Sequence, residues 1–234
     1  MATTGRKGTV SLDRALSKLG FASRSQARGL ITGGRVAIDG RIVRDPSAPV
    51  VPERIAVEID GQTRQPPRER IVVMLHKPRG VMTTRSDPQG RTTVYDLIAD
   101  LPARVIPVGR LDYATSGLLL LTNDTRFSDW LTDPNNAVPR VYLVTVRGNV
   151  EHVDDARVVV RKTSARENHL VVTLTTGKNR EVRNLMSELG LSVTRLRRVQ
   201  VGGLRIGTLA PGNWRMVTDD ELAGAFRYGN KRVL

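Results

Sequence analysis

The chain has 234 residues, with 37 lysine or arginine against 23 aspartate or glutamate, a formal net charge of +14. It has no cysteine, which excludes disulfides, thiolate metal sites and cysteine nucleophiles. No run approaches the roughly 20 apolar residues of a membrane-spanning helix, and no apolar run follows the basic residues of positions 1–10, as a secretory signal requires. We expect a cytoplasmic monomer without a membrane partner. The charge favours nucleic acid as partner, with a merely basic soluble protein as the alternative.

The first part of the chain has the pattern of a small module of two helices and a few strands. Apolar residues at helical spacing predict a helix from Ser11 to Gly20, capped by its first residue. The capping-box spacing of Ser23 and Gln26 predicts a second helix, which Gly33-Gly34 ends. A tight hairpin follows, because Asp39-Gly40 supplies the positive φ that such turns need.

The polar segment around Pro66-Pro67 separates this module from a larger domain. We assign the parts of the chain as follows: a flexible basic tail at 1–10, the module at 11–61, a linker at 62–70 and the second domain at 71–234. Alternating residues predict that the module includes a strand from Arg54 to Ile59. Its helices carry basic side chains away from their apolar stripes, and these are candidates for contact with RNA phosphates: Arg14, Arg24 and Arg28.

The second domain contains more strands than helices. Apolar or alternating runs predict strands at Ile71–His76, Val105–Val108, Leu118–Thr122, Val138–Val146, Arg157–Lys162, Leu170–Thr175 and Val193–Val201. Helices are predicted from Thr92 or Thr93 to Leu101, from Asn179 to Gly190, and after Thr218, which has Glu221 at the capping-box position. Short connections between many strands favour a mixed, largely antiparallel α+β domain.

One loop of the second domain carries polar residues between two apolar runs. It contains Arg110, Asp112 and Thr115 within the segment Val108–Asp124. A loop held by a rigid scaffold is where a site is commonly built. The alternative is an ordinary hairpin turn with a solvated aspartate. Nucleotide-binding glycine motifs are absent from the sequence and the three histidines are far apart, so we expect neither a metal nor a cofactor.

Basic residues also cluster near the predicted helix at Asn179. They are Lys178, Arg180 and Arg183, followed on the next strand by Arg195, Arg197 and Arg198. Such a density favours a face that contacts phosphates, although a solvated surface is the alternative. Tyr142 shares a strand face with Val144 and is either a core aromatic or a stacking platform for an unstacked base.

Three motifs, in their order along the chain, resemble those of the bacterial ribosomal RNA pseudouridine synthases of the RsuA type. They are Lys77–Val81, Val108–Asp124 and Gly177–Arg183, of which Val108–Asp124 is similar to the catalytic segment of that family. Residues 11–55 resemble the alpha-L (S4-like) RNA-binding domain that many members carry in front. Asp87–Arg91, Thr93–Leu97 and Thr115–Gly117 look more like the large-subunit (RluB) branch.

The resemblance implies a role for each matching residue. Asp112 corresponds to the catalytic aspartate, Tyr142 to the base-stacking tyrosine, Arg183 to the partner that keeps the aspartate ionised, and Arg110 to the arginine that fills the space of the flipped nucleotide. Thr115, Lys178 and Arg180 are expected to contact the substrate RNA. The implied fold is a small RNA-binding domain followed by a mixed, mainly antiparallel synthase domain.

The implied reaction converts a uridine of ribosomal RNA to pseudouridine and needs neither metal nor cofactor. We expect the substrate to be large-subunit (23S) RNA, with small-subunit (16S) RNA as the alternative within this function. A noncatalytic RNA-binding or ribosome-assembly protein is the main alternative from another class, and a DNA-binding regulator ranks last.

Overall fold

The computed structural model describes residues 8–65 and 69–226. The chain divides into two compact units, of which the first ends at Arg70 and also includes Asn123–Arg126. The second unit runs from Ile71 to Thr122 and continues from Phe127. In the described ranges, no helix is both long and apolar enough to cross a membrane.

The first unit contains two helices and short strands. Its elements are β1 (Val10–Ser11), α1 (Leu12–Lys18), α2 (Arg24–Thr32), β2 (Val36–Ile38), β3 (Arg41–Ile42), β4 (Pro49–Val50), β5 (Val57–Ile59) and β6 (Gln62–Arg64). One sheet has the order β3-β2-β5-β6, all antiparallel, and β1 pairs separately with β4. Apolar side chains of both helices and of the sheet form one core, which includes Leu16, Ile31 and Val57.

Two local signals of the first unit are confirmed. The Gln26 amide donates to Ser23 Oγ at 3.2 Å, and the Ser23 amide donates to Gln26 Oε1 at 3.0 Å, which completes the capping box of α2. Asp39 and Gly40 have φ values of 50° and 77°, as a type I′ turn requires. Ser11 stands at the N-cap of α1 without a capping hydrogen bond, because its hydroxyl donates to Asp13 Oδ1 at 2.5 Å.

Three predicted boundaries of the first unit differ in the structure. Gln62–Arg64, which we assigned to the linker, forms β6 at the edge of the sheet. Val10, which we assigned to the tail, pairs with Val50. The strand predicted at Arg54–Ile59 is confined to β5, because a 3₁₀ turn occupies Pro52–Arg54. Pro66-Pro67 and most of the tail lie outside the described residues.

Among the described residues, the second unit contains a nine-stranded sheet and three helices, except that the first two residues of one helix, Thr125 and Arg126, group with the first unit. Its elements are β7 (Val72–Lys77), β8 (Ile106–Pro107), β9 (Ser116–Thr122), α3 (Thr125–Thr132), β10 (Arg140–Arg147), β11 (Val158–Lys162), β12 (Asn168–Leu174), α4 (Glu181–Glu188), β13 (Ser192–Val201), β14 (Leu204–Arg205), β15 (Trp214–Met216) and α5 (Asp219–Ala225). The strand order is β11-β12-β10-β13-β9-β7-β15, with β14 on β13 and β8 on β9. The pairings are antiparallel except that of β13 with β9, which confirms the mixed, mainly antiparallel fold.

Each part of the sheet packs against different apolar elements. Helix α4 places Val182, Leu185 and Met186 in one core with β10 and β12. A second core joins β7 and β9 to Phe127 of α3 and to Phe226, whose rings meet edge to face at 5.7 Å. The predicted α4 and α5 are confirmed, and α5 begins with the capping box of its N-cap threonine.

The helix predicted from Thr92 or Thr93 to Leu101 was wrong. Only a 3₁₀ turn forms, at Asp96–Ile98. The Met82 amide donates to the Thr92 carbonyl and the Val94 amide donates to the Met82 carbonyl, both at 2.9 Å, so extended backbone occupies the expected first turn. Conversely, α3 was not predicted, although its buried Phe127 and Leu131 have helical spacing.

Candidate active site

A cavity of about 310 Å³ opens in the second unit. Its wall is formed by the loop between β8 and β9, by strands β10 and β13, by the turn that leads into α4 together with the start of that helix, and by Thr132 at the end of α3. All seven predicted site residues of the second domain line it: Arg110, Asp112, Thr115, Tyr142, Lys178, Arg180 and Arg183. The structure thus brings together residues that are up to 73 positions apart in sequence (183 − 110).

Lys77, the last residue of β7, holds the loop between β8 and β9, which contains Asp112. The side chain of Lys77 is fully buried, and its Nζ donates to the carbonyls of Pro78, Asp112 and Thr115 at 3.0, 3.2 and 2.9 Å. Burial lowers the pKa of Lys77 to about 8, and the charge of Asp112 opposes this effect. Lys77 is the first residue of the sequence motif Lys77–Val81, and no local pattern in that motif indicated this structural role.

The segment after Lys77 holds the same loop through two further contacts. Thr83 Oγ1 donates to the Leu111 carbonyl at 2.8 Å, and the Gly80 amide donates to the Tyr113 carbonyl at 2.9 Å. The backbone on both sides of Asp112 is therefore bound to this segment. The Asp112 side chain therefore extends into the cavity from a loop whose backbone is held in place.

Gly117 joins the loop to the centre of the sheet. It pairs with Arg198 where β9 and β13 run parallel. Its φ is 113°, and a Cβ built there would lie 2.1 Å from the Arg198 carbonyl oxygen. Only glycine fits this approach, so Gly117 sets the position of the loop relative to β13.

Tyr142 lies in the core and also borders the cavity. Its side chain is 9% exposed and packs with Val144 and Val172 in the core beside α4. It also borders the cavity, and on its strand it stands opposite Arg198. The ring is therefore a core aromatic that also forms part of the cavity wall.

Arg183 lies on α4 and is half-buried. Burial and the neighbouring charges of Arg180 and Arg79 lower its pKa, while Asp112 raises it. In residues 8–65 and 69–226, no ion pair within 4.0 Å joins Asp112 and Arg183. The predicted helix from Asn179 begins later than expected, so Arg180 is its N-cap residue, in the left-handed region with φ of 53°, and only Arg183 lies within α4.

The cavity wall contains two buried arginines that the sequence did not predict as site residues. Arg140 was not predicted at all, and Arg198 was predicted only as a member of a basic cluster. The Arg140 guanidinium donates to the carbonyls of Leu131, Val138 and Thr175 at 2.7, 3.1 and 3.1 Å, and burial lowers its pKa. The signal that identifies it is its position two residues before Tyr142, on the same strand face.

Arg198 is the second buried arginine. Its Nε donates to the Leu118 carbonyl at 2.8 Å, and the side chain borders the cavity. Arg195 and Arg197, which the sequence grouped with it, are not among the residues of this wall. Strand alternation could have separated Arg197 from Arg198, because successive residues of a strand face opposite sides.

Thr115 presents an unused hydroxyl to the site. The residue is 2% exposed, and among the described residues its Oγ1 has no hydrogen-bond partner. A buried hydroxyl without a partner is costly for folding. Its place in the cavity wall makes it available to a polar group of a substrate.

The candidate RNA-contacting arginines of the first unit lie outside this cavity. Arg24 and Arg28 bind the buried carboxylate of Asp13, at 3.3 and 2.8 Å, and their side chains are 59% and 63% exposed. The Ser11 hydroxyl, followed by Arg28, holds the pKa of Asp13 well below its usual range. Arg14 is also exposed.

The donor set of the site does not favour a metal ion. Among the described residues, no three histidine, aspartate or glutamate side chains lie close enough together to hold one. The cavity instead combines one carboxylate, Asp112, with several cations and an aromatic ring. This arrangement suits a polyanionic ligand with a flat base better than a cation.

Residues 71–188 match the family model for RNA pseudouridylate synthase, and residues 10–54 match the model for the S4 domain. An uncharacterized RNA pseudouridine synthase of Aquifex aeolicus is 36% identical over 93% of this chain and 94% of its own length. The ribosomal large subunit pseudouridine synthase B of Haemophilus influenzae is 37% identical over 87% of this chain and 63% of its own length.

A crystal structure of a pseudouridylate synthase is also similar. It superposes with a TM-score of 0.62 and 25% identity, and the match covers 93% of this chain and 100% of the other. The chain therefore belongs to the RNA pseudouridine synthases and has the RsuA-type architecture, in which an S4 domain precedes the synthase domain.

Proposed function

We propose that this enzyme converts a uridine of large-subunit (23S) ribosomal RNA to pseudouridine, with Asp112 as the catalytic carboxylate. The observation that carries the proposal is the gathering of Asp112, Tyr142 and Arg183 around one cavity, with Asp112 on a loop whose backbone is held by Lys77. The similarity to the Haemophilus influenzae protein, whose name specifies the large ribosomal subunit, supports the choice of RNA.

The reaction is an isomerisation and needs no external donor. The bond between N1 of uracil and C1′ of the ribose breaks, the base turns, and a new bond forms between C5 and C1′. The proton leaves C5, and N1 ends protonated, so atoms and electrons balance. Asp112 serves either as a nucleophile or as a base at the ribose while the uracil is detached.

The other cavity residues have separate roles in this proposal. Tyr142 stacks on the displaced base, and Arg183 provides the cation that favours the ionised form of the carboxylate. Thr115 offers its free hydroxyl to the nucleoside. Arg110, Lys178 and Arg180, which are all exposed at the rim, contact phosphates or fill the space that the uridine leaves.

The deciding experiment compares Asp112→Asn with the wild type. We expect the variant to retain RNA binding and to lose essentially all tritium release from 23S transcripts labelled at C5 of uridine. Asp154→Asn is the matched control, because Asp154 is exposed and does not line the cavity. Release by Asp112→Asn at the wild-type rate would contradict the assignment.

The same assay tests the choice of RNA. Release from 16S transcripts but not from 23S transcripts would move the substrate to the small subunit. Absence of release from any ribosomal RNA by the wild type, with binding intact, would favour the assembly-protein alternative.

The S4 domain adds RNA affinity in this proposal, through Arg14, Arg24 and Arg28. Replacing all three by glutamine should flatten the slope of log K against log salt by about 2–3, because three fewer phosphates are neutralised. Filter binding between low and moderate salt measures this slope. An unchanged slope would show that these arginines do not contact RNA.

A further inference from the structure

Tyr113 follows the candidate catalytic aspartate directly and exposes its ring. The residue is 47% exposed, and among the aromatic residues that the structure describes it is the only one in the exposed class. The chain has only nine aromatic residues (2 Trp, 4 Tyr and 3 Phe), which makes this position notable.

The position of the ring is fixed on one side by Arg91. The Arg91 guanidinium carbon lies 5.8 Å from the centroid of the Tyr113 ring, within the range of a cation–π contact. Asp87 in turn holds Arg91 through two hydrogen bonds, Nε to Oδ2 at 2.9 Å and Nη2 to Oδ1 at 2.7 Å. The backbone of Tyr113 is bound at its carbonyl by the Gly80 amide.

The turn that carries Arg91 is itself well defined. Asp87 Oδ2 also accepts the amides of Gln89 and Arg91, at 3.2 and 3.1 Å. A flat ring held in this way loses little conformational freedom when a ligand stacks on it, so the binding free energy is not spent on ordering the side chain.

The size of the cavity indicates what reaches this ring. A space of about 310 Å³ suits one nucleoside, so the nucleotides on either side of the flipped uridine stay outside. Tyr113 is the next residue after Asp112 and is exposed, so an RNA strand that places its uridine beside Asp112 would pass close to this ring. Arg79 is exposed and is close enough to Arg183 to lower the pKa of that residue. A cation at this position would attract the phosphates of the same RNA strand.

We propose that Tyr113, braced by Arg91, forms a stacking subsite for a nucleobase adjacent to the uridine that enters the cavity. This inference rests on the proposed function, since it takes Asp112 as the centre of the reaction. Stacking on an aromatic ring tolerates every base, so the subsite contributes affinity and places the strand more than it reads sequence.

The test uses a synthetic RNA hairpin that contains the modified uridine, mapped beforehand on 23S transcripts by carbodiimide treatment and primer extension. We expect Tyr113→Ala to lower kcat/KM about 5- to 150-fold, the range of one base–aromatic stack. Tyr113→Phe should stay within about twofold of the wild type, because the ring is kept. Leu143→Ala is the matched control: Leu143 is 46% exposed on β10 and does not line the cavity.

Substitution of the RNA identifies the base. An abasic site on one side of the target uridine should reduce wild-type kcat/KM by the same factor as Tyr113→Ala, and the two changes together should give no further loss. With 2-aminopurine at that position, fluorescence should change on binding to the wild type and to Tyr113→Phe but not to Tyr113→Ala.

Each result decides between the two proposals. If the wild type converts the uridine and Tyr113→Ala has an unchanged kcat/KM, the subsite alone is overturned. The same holds if the loss from Tyr113→Ala adds fully to the loss from an abasic site, whichever side of the uridine carries that site. An equal loss in Leu143→Ala would also overturn it. Failure of the wild type to convert any ribosomal uridine would overturn the proposed function, and with it the subsite.

Discussion

The buried ammonium group of Lys77 holds the backbone of Asp112, with 3.2 Å between Nζ and the Asp112 carbonyl oxygen. The same nitrogen binds the carbonyls of Pro78 and Thr115. Lys77 acts through the loop, because the hydrogen bonds of its Nζ go to backbone carbonyls and not to the carboxylate of Asp112. It is therefore a positioning residue.

We expect Lys77→Met to destabilise the protein by about 2–4 kcal/mol, since three carbonyls lose a charged donor. The effect should depend on pH. The pKa of Lys77 is about 8 in the folded chain, against 10.5 for an ordinary lysine, so between these values the unfolded chain binds more protons at this position. Stability of the wild type relative to Lys77→Met should thus rise as pH increases from 8 to 10.5. Urea unfolding at several pH values measures this difference, and a difference that falls over this range would contradict the argument.

Arg140 should be a stability residue of the cavity wall. Its guanidinium satisfies the carbonyls of Leu131, Val138 and Thr175, so Arg140→Met should lower the free energy of unfolding by about 2–5 kcal/mol. Arg147→Met is the matched control, because Arg147 is exposed at the other end of the same strand. Equal losses for the two variants in urea unfolding would refute this role.

Gly117 should tolerate no side chain. Gly117→Ala combines a φ of 113° with a Cβ 2.1 Å from a backbone oxygen, so we expect a loss of more than about 3 kcal/mol. Gly212→Ala is the control, since Gly212 has a φ of 87° with nothing within 4 Å of its Cβ. It should cost only about 1 kcal/mol. Similar melting temperatures for both variants would mean that the contact with β13 is not decisive.

Thr115→Val separates folding from binding. The substitution keeps the shape of the side chain and removes a buried hydroxyl that has no partner among the described residues, so stability should stay within about 1 kcal/mol or rise. If the hydroxyl binds the nucleoside, RNA affinity or kcat/KM should fall about 5- to 100-fold. An unchanged kcat/KM in a normally folded variant would remove Thr115 from the substrate contacts.

The elements that the sequence predicted well are those whose signal is local. The capping box at Ser23 and the Asp39-Gly40 turn depend on neighbouring residues alone, and the structure contains both. The loop of Asp112 was also predicted, because two apolar strands enclose a polar segment. That its carboxylate acts in catalysis came from the family resemblance and stays a proposal.

The elements that were missed depend on contacts distant in sequence. Met82 holds the backbone of Thr92 and Val94 in an extended form and so prevents the predicted helix. Gln62–Arg64 became β6 because the exposed edge of β5 was open to pairing. The role of Lys77 depends on carbonyls 35 and 38 residues away, which no local pattern contains.

The place of β13 in the sheet has a consequence for how the enzyme is made. This strand is the last of the four central strands to be synthesised, yet it inserts between β10 and β9. A nascent chain released by the ribosome only as far as α4 already contains Asp112, Tyr142 and Arg183, but the two halves of the sheet that carry them have no common strand. The strand that joins these two halves is therefore complete only after residue 201 has emerged, so the pairing that closes the sheet is long-range and is expected to form late in folding.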